Sequence, residues 1–412
     1  MGSLIASGEQ RLRLRRFGLL FGIALLNCTI SRAQVSIDGH PFEVHAFFSQ
    51  GFVKSDHNNY LTLQSNKGAF DFTDGGFHVT TRLTNKLRVG AQAYSRHVGN
   101  LGKGRVTLDW ATVDYRWKDF FGIRAGRVKT VMGLYNDTQD LEFLQTWALM
   151  PQALYSLDLR GLTLSHLGGD IYGSFGGHRW GTFSYTAYVG RLAADLTGGL
   201  AYGFASYGIR NNVNRGWVRG GDLKWNTPVP GLLLGASLQY VRSESEGVNL
   251  ALAGPLGTRS RAHPVVLSGQ YSRGRLRLDY ERVRSLSTTV VSGAHGFGPL
   301  PLELQSDQRL WYAAVAYRIS KHLEAGTYHS RFYPNADKQP PYLAPNPAAR
   351  HMYDQAITAR VDFKTHWDVK AEGHFIDGFG DPGSSRGFYL QDNPQGLVPT
   401  TRLLVLRLGF NY

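Results

Sequence analysis

Residues 402–412 read RLLVLRLGFNY, and their side chains alternate between two sets. One set is wholly apolar or aromatic, and the other is mixed: Leu404, Leu406, Leu408, Phe410 and Tyr412 alternate with Val405, Arg407, Gly409 and Asn411. Successive side chains of a β-strand point to opposite faces of its sheet, so this pattern predicts a strand with one apolar face. Such a strand separates an apolar environment from a polar one.

The same alternation recurs through the chain as pairs of segments joined by short turns. The pairs are 77–83 with 87–94, 107–117 with 120–131, 162–175 with 180–190, 217–225 with 232–242, 264–272 with 275–283, 310–319 with 323–332, and 353–363 with 367–375. With an opening segment at 42–53 and the closing segment at 402–412, the pattern predicts sixteen strands.

The connections between these segments fall into two classes. Short turns carry Asn, Gly, Pro and Lys, whereas the long connections at 243–263, 284–307, 333–352 and 377–399 are rich in Gly, Pro and Ser. Short turns at one end and long loops at the other are typical of outer-membrane barrels. The sequence therefore predicts an all-β fold, a 16-stranded antiparallel transmembrane β-barrel formed by residues 34–412 in the cell outer membrane.

Composition agrees with a barrel. The 412 residues include Gly 49, Tyr 21, Phe 22 and Trp 8, and the mean hydropathy is -0.26. A barrel exposes only alternate residues to lipid, so it does not need a high mean hydropathy. Aromatic residues border the short turns, as expected for girdles at the membrane interfaces: Trp117, Phe120, Trp180, Trp225, Tyr317, Trp367 and Tyr412.

Residues 1–33 have the pattern of a secretory signal peptide. A basic stretch at 11–16 precedes an apolar stretch at 17–26, and Ser31-Arg32-Ala33 fits a cleavage site. Cleavage after Ala33 would remove Cys28, the only cysteine, and would leave a chain without thiol or disulfide chemistry.

The formal charge is +14, and residues 1–33 contribute five Arg and one Glu, 5 − 1 = +4, so 14 − 4 = +10 remains. The basic residues are dispersed rather than clustered, which argues against nucleic-acid binding. In a barrel the same excess favours anions. No histidine pair has metal-ligand spacing, and no cofactor motif is present.

One stretch interrupts the alternation, between Gly122 and Gly161. After a short strand, residues 132–161 show no period of two, and loops of this length in compact folds are usually functional. We expect this loop to fold into the barrel lumen and form its constriction. Its apolar residues should anchor it to the wall: Phe143, Leu144, Trp147 and Leu149.

Charged residues at the constriction should set the ion preference. Carboxylates of the loop would oppose arginines on inward positions of the neighbouring strands: Asp137, Asp140 and Glu142 opposite Arg82, Arg88, Arg116 and Arg124. Alternatively, Asn136, Asp137 and Asp140 start a short helix in the loop. Other inward charges include Glu281, Lys370, Glu372 and Arg407, and many of these should pair across neighbouring strands.

Three short motifs add a family resemblance. Residues 109–117, DWATVDYRW, 126–130, GRVKT, and 133–136, GLYN, resemble the sixteen-stranded trimeric porins, most closely a porin-like group related to the phosphate-selective porins. The long loop follows the fifth strand, where such porins fold their third loop into the lumen. The last strand is similar to the C-terminal strand of Gram-negative outer-membrane proteins, so Phe410 and Tyr412 would be read by the barrel assembly machinery.

The resemblance implies a homotrimer surrounded by outer-membrane lipid and lipopolysaccharide. Its function would be passive diffusion of small hydrophilic solutes with an anion preference, and not enzymatic. Two alternatives stay open. One is a ligand-specific channel for sugars or organic acids, gated by Tyr135 and Trp147. The other is an outer-membrane hydrolase using Ser165-His166 or His329-Ser330.

Overall fold

The computed structural model describes residues 34–37, 40–177, 179–192, 196–205, 208–293, 301–336, 346–381 and 386–412. The expected signal peptide at residues 1–33 lies outside these ranges and stays a prediction. No helix in the described part of the chain is long and apolar enough to cross a membrane.

Nearly all of the regular structure is β-strand. The strands are β1 (Gln34–Ile37), β2 (His40–Ser55), β3 (Ala69–Arg82), β4 (Leu87–Val98), β5 (Val106–Lys118), β6 (Phe121–Lys129), β7 (Ser165–Gly177), β8 (Gly181–Leu192), β9 (Ile209–Asn226), β10 (Leu232–Asn249), β11 (Gly254–Arg273), β12 (Leu276–Gly293), β13 (Leu302–Arg318), β14 (Leu323–Tyr333), β15 (Met352–Phe363), β16 (Trp367–Asp377) and β17 (Thr400–Asn411). Two short helices lie between strands, α1 (Arg160–Thr163) and α2 (Gly199–Ala205).

Sixteen of these strands form a closed antiparallel ring. Each strand from β2 to β17 pairs with the next, and β17 closes the ring on β2, with Arg407 opposite Gly51. The four residues of β1 pair with the start of β2. The predicted 16-stranded antiparallel barrel is therefore confirmed, and the ring has no free strand edge.

The two faces of β17 separate as its sequence predicts. Leu404, Leu406 and Leu408 are 39–44% exposed, whereas Val405 and Arg407 are buried at 0% and 7%. The same alternation on the other strands places apolar side chains outside the ring, where lipid would cover them.

At the long-loop end of the barrel, strands β9–β13 are longer than the sequence predicts. Much of the predicted long loops at 243–263 and 284–307 is strand, since β10 ends at Asn249 and β12 at Gly293. Sequence alternation failed here because both faces are polar, as in Ser243-Glu244-Ser245-Glu246. Such extensions lie beyond the apolar belt, where both faces contact water.

The short turns and the aromatic residues beside them lie where expected. Gly274 joins β11 to β12 with φ +62, a left-handed conformation that favours glycine. At the turn between β7 and β8, Trp180 is 71% exposed, and the indole of Trp225 donates to its carbonyl at 2.7 Å. The rings of Phe183 and Trp225 stack with centroids 5.6 Å apart. These residues form part of an exposed aromatic girdle.

The hydrophobic core occupies only part of the ring. Inward residues of β11–β17 and β2–β4, such as Val266, Phe332 and Val405, pack with Leu149, Ala153 and residues of the long loops. Inward residues of β7–β10 contribute none of the residues in this cluster. The described part of the barrel is therefore packed on one side and lined by polar side chains on the other.

Candidate pore and its lining

The connection between β6 and β7, residues 130–164, reaches strands on many sides of the ring. Its two ends are held together by Asn136, whose side-chain amide donates to the carbonyls of Thr130 (2.7 Å) and Thr163 (3.0 Å). We call this closed end the base of the 130–164 segment. Beyond it, the segment contacts the inner faces of β4, β5, β10, β12 and β14–β17.

Asp140 lies at the base of the segment and is paired on both sides. Lys129 Nζ donates to its two carboxylate oxygens at 2.7 and 2.9 Å, and Gln92 Nε2 donates at 2.6 Å. Burial alone would raise the pKa of this carboxyl, but the charges of Lys129 and Arg160, with these hydrogen bonds, hold the pKa below its usual range. Asp140 therefore stays ionised and fixes the segment to β4 and β6.

Glu142 is the second buried carboxylate of the segment. It forms an ion pair with Lys370 of β16, which also donates to the Glu142 carbonyl at 2.8 Å. Arg407 Nε of β17 lies 3.9 Å away, and this arginine also binds Asp74 of β3 at 2.8 Å and the carbonyl of Ala148 at 2.9 Å. A buried network of compensated charges thus ties the segment to three strands.

Glu281 of β12 holds the opposite side of the segment. It accepts from the hydroxyls of Tyr155 (2.5 Å) and Tyr312 (2.7 Å) and from the backbone N–H of Leu134 (2.8 Å). Gly133 has φ +64, and a Cβ there would stand 2.3 Å from Glu281 Oε1. The close approach of this backbone to the carboxylate therefore requires glycine.

Glu372 of β16 binds the middle of the segment through its backbone. Its carboxylate accepts from the N–H groups of Ala148 (3.0 Å) and Leu149 (2.8 Å) and from His374 Nε2 (2.9 Å). Beside it, the ring of Trp147 meets that of Tyr328 of β14 edge to face, with centroids 5.2 Å apart. These contacts leave Trp147 only 2% exposed.

The end of the segment is fixed by Arg160 in α1. Its guanidinium is paired with Asp109 of β5 and lies 3.7 Å from the ring centre of Tyr94. Both residues are buried. A cation held by an ion pair and an aromatic face has little freedom to move.

A cavity of about 300 Å³ lies between the base of the segment and the inner face of β3–β6. Its charged lining is Arg88, Arg124, Lys129, Asp114 and Asp137. Arg124 also forms an ion pair with Asp170 of β7, with Nε 2.9 Å from Oδ1. His78 and Trp110 supply the aromatic part of the lining.

The carboxylates predicted at the constriction divide into two kinds. Asp137 lines this cavity, together with Arg88 and Arg124, and no ion pair within 4.0 Å involves its side chain in the described ranges. Asp140 and Glu142 are only 2% and 7% exposed and are paired. The expectation that these two face a solute is thus corrected, because buried cations of the wall engage them.

The other predicted residues are spread more widely. Arg116 approaches Asp119 at 3.8 Å near a short turn, and both are exposed. Arg82, at the end of β3, is exposed too. Neither residue lines the cavity with Arg88.

Of the predicted anchors, Trp147 and Leu149 are 2% exposed, and the ring of Phe143 lies tilted against that of Phe47 with centroids 6.2 Å apart. Leu144 is 50% exposed, which corrects its assignment as an anchor. It follows Phe143 at the end of a turn of 3-10 helix, Glu142–Leu144.

Sequence reasoning missed three residues that hold the segment: Lys129, Asp109 and Arg160. Asp109 is the extra residue at the register shift between β4 and β5, Lys129 ends β6, and Arg160 lies in α1 of the segment itself. Glu281, Lys370, Glu372 and Arg407 were predicted as inward charges, but no pattern indicated that their partners lie in the segment.

The inner face of β7–β10 is mainly neutral and polar. Its inward residues include Tyr172, Ser174, Ser184, Thr186, Tyr188, Asn214, Ser237, Gln239, Ser243 and Ser245. Gln239 donates to the hydroxyl of Tyr188 at 3.0 Å, and the acid Asp222 has Lys224 4.0 Å away. This part of the wall offers hydroxyl and amide groups to a solute.

The residues considered for hydrolysis do not form catalytic pairs. His166 Nδ1 is 2.9 Å from Thr130 Oγ1, and Ser165 accepts from Arg127 Nε at 3.0 Å. His329 accepts from Arg331 on the outer face, whereas Ser330 is buried on the inner face. Within the described residues, no group of three or more His, Cys, Asp or Glu side chains could hold a metal ion.

The sequence matches no protein-family model and no curated protein. Its fold, however, has clear relatives among solved structures. OmpT of Vibrio cholerae, an outer-membrane protein, aligns with 92% of this chain and 99% of its own at 9% identity and a TM-score of 0.54. The outer-membrane channel DcaP of Acinetobacter baumannii aligns with the same coverage of both chains, at 9% identity and a TM-score of 0.53.

An anion-selective porin from Comamonas acidovorans is similar over 90% of this chain and 100% of its own, at 11% identity and a TM-score of 0.51. The fold is that of the outer-membrane porins. Together with the exposed apolar face of the ring, it places this chain in the cell outer membrane. A phosphate-selective group is not singled out by these likenesses.

Proposed function

We propose that this protein is a porin, a passive diffusion channel for small hydrophilic solutes, with residues 130–164 folded into the lumen to set its bore. The observation that carries the proposal is the reach of the segment. Its hydrogen bonds run from Gln92 on β4 to Glu281 on β12 and Arg407 on β17. A chain that joins opposite inner faces of a ring narrows the passage between them.

We further propose a preference for anions. Beyond residues 1–33 the chain carries the +10 excess calculated above. Arg88 lines the cavity, and its nearest acid, Glu43, lies 3.6 Å away in an exposed pair. Exposed pairs of this kind are weak, so the guanidinium retains most of its attraction for a passing anion.

Reversal potentials in a salt gradient across planar bilayers test this preference. Arg88→Gln should reduce the anion-to-cation permeability ratio by about twofold, since one charge near a pore constriction shifts ion preference modestly. Arg402→Gln, an equal change on the outer face of β17, should leave the ratio unchanged. Equal ratios for all three proteins, or cation selectivity of the wild type, would contradict the preference.

A ligand-specific channel for organic acids is the second candidate. The cavity beside Asp137 supports it, because Trp110 and His78 offer aromatic faces next to Arg88 and Arg124. Gating by Trp147 has no support, since this ring is buried against Tyr328. Concentration-dependent block of the current by benzoate, absent with glucose, would favour this candidate over a general porin.

Assembly as a homotrimer is part of the proposal. Small residues face outward on adjacent strands, with Ala91 of β4 directly opposite Ala111 of β5, and Ala93 and Ala125 lie on the same faces. Small side chains permit close approach of a second barrel. Mass measurement of the detergent-solubilised protein should give three chains per particle, and Ala91→Trp should shift it to one.

A further inference from the structure

A second charged region lies on the outside of the barrel, on the extended parts of β10–β13. It consists of six arginines, defined here as the arginine groove: Arg242, Arg259, Arg261, Arg282, Arg284 and Arg309. On their strands, these arginines lie on the same face as the exposed apolar residues Leu238 (64% exposed), Leu267 (55%) and Tyr280 (45%). They therefore face away from the lumen.

Two pairs of these arginines stand directly opposite each other on neighbouring strands. Arg242 of β10 faces Arg261 of β11, and Arg284 of β12 faces Arg309 of β13. Like charges at directly opposed positions destabilise a sheet. An anion between or beside the two guanidinium groups reduces this cost.

Acids of the barrel supply only part of this compensation. Asp307 accepts from Arg284 at 3.0 Å and from Arg309 at 2.7 Å. Glu244 accepts from Arg242 at 3.0 Å and lies 3.8 Å from Arg259. In the part of the chain that the structure describes, Arg261 and Arg282 form no ion pair within 4.0 Å.

The arginines border a concave surface next to the apolar belt. A groove of about 830 Å³ is lined by three of these arginines, Arg259, Arg261 and Arg284, together with His263 and the acids Glu303 and Asp307. The strands that form it are 17–20 residues long, whereas a strand needs about 9–11 residues to cross the hydrocarbon layer. Arg259, Arg261 and His263 therefore lie at the level of the lipid head groups, above Val265 and Leu267, whereas Arg284 and Arg282 stand directly opposite these two residues at the edge of the apolar belt.

We propose that the arginine groove binds the phosphorylated head group of a lipid in the leaflet that surrounds the long-loop end of the barrel. Guanidinium groups bind phosphate oxygens through paired hydrogen bonds. The acyl chains of the same lipid would cover the exposed side chains of Val265 and Leu267 below. Basic groove and apolar belt are continuous, which fits an amphiphile rather than a free ion.

The test uses the folded, detergent-solubilised barrel and native mass spectrometry with phosphatidate as the probe. Arg259→Gln/Arg261→Gln, which removes two arginines of the groove lining, should weaken phosphatidate binding about 30-fold, because each basic residue near an anionic lipid surface contributes roughly fivefold. The matched control is Lys54→Gln/Arg402→Gln, which removes two outward charges on β2 and β17. It should bind phosphatidate as the wild type does.

Three results would overturn the proposal: equal binding by the groove variant and the wild type, equal loss in the control, or displacement of phosphatidate by millimolar inorganic phosphate. The last would assign the groove to free phosphate. Diacylglycerol, which lacks the phosphate, should not bind. Single-channel conductance of both variants should match the wild type, which verifies their folding and separates this inference from the porin proposal.

Discussion

At the scale of single residues, the position of the 130–164 segment depends on buried charged groups of the barrel wall that bind it. Glu281, Glu372 and Arg407 each bind at least two groups of the 130–164 segment or of its neighbours. A buried charge without a partner costs several kcal/mol, so each of these residues is stable only with the segment in place. The same contacts hold the segment in one position.

Gly133 offers a direct test of this close fit. Gly133→Ala should destabilise the segment, because its Cβ would stand 2.3 Å from Glu281 Oε1 and its φ of +64 is unfavourable for alanine. We expect the free energy of unfolding to fall by about 1–3 kcal/mol in urea titrations. Gly373→Ala is the control, since a Cβ at that position meets nothing within 4 Å. Equal losses for the two variants would contradict the fit.

The lowered pKa of Asp140 makes a prediction about pH. A carboxyl with a lowered pKa contributes its stabilisation above its unfolded pKa and loses it as the pH falls through the folded value. Single-channel conductance should therefore stay constant from neutral pH down to about 4, the usual pKa of an aspartate, and change only below it.

Asp140→Asn serves as the comparison for this pH profile. It removes the charge that Lys129 binds, so its conductance should already differ from the wild type at pH 7. It should also lose the change at acidic pH. A variant that keeps the wild-type profile would show that the Lys129–Asp140 pair does not position the segment.

At the scale of elements, β17 closes the ring and ends on the residues expected to guide assembly. Phe410 lies 4.9 Å from Trp367 between ring centroids, and the N–H of Tyr412 donates to the carbonyl of Ala46 at 2.8 Å. Both contacts fix the register of the closing strand.

Phe410→Ala should therefore reduce the folded fraction of the protein in outer membranes severalfold. The variant removes the aromatic ring that packs on Trp367, and with it the residue that the assembly machinery is expected to recognise. Leu406→Ala, another outward position on β17, is the control and should have a smaller effect. The readout is the heat-dependent mobility of the folded form on gels. A folded fraction equal to that of Leu406→Ala would contradict the role of Phe410.

The elements also show what sequence reasoning could and could not reach. Alternation identified the strands wherever lipid and water faced opposite sides, as on β17. It failed on 243–263, where both faces are polar. The absence of alternation located the segment. It did not predict that Asp140 and Glu142 are buried, because this burial depends on distant partners: Lys370, which pairs with Glu142, is more than 200 residues away along the chain.

At the scale of the whole molecule, the barrel is divided into a packed side and a polar side. The hydrophobic cluster and the buried ion pairs join β11–β17 and β2–β4 to the segment. The hydroxyl-rich wall of β7–β10 faces the remaining space. We therefore expect the passage to run between β7–β10 and the 130–164 segment, past Asp137 and the cavity that Arg88 lines.

Substituted-cysteine modification tests this central claim most directly. The only cysteine is Cys28, which lies in the predicted signal peptide, so the barrel itself carries no thiol. Asp137→Cys would place a thiol on the segment, and Leu238→Cys would place one on the outer face of β10 as the control. Single-channel current is recorded before and after a water-soluble, thiol-specific reagent.

Modification of Asp137→Cys should reduce the current by roughly a third or more, because a constriction dominates the resistance of a pore. Modification of Leu238→Cys should leave the current unchanged. If Asp137→Cys reacts fully, as measured by mass, and the current does not change, residues 130–164 do not set the bore.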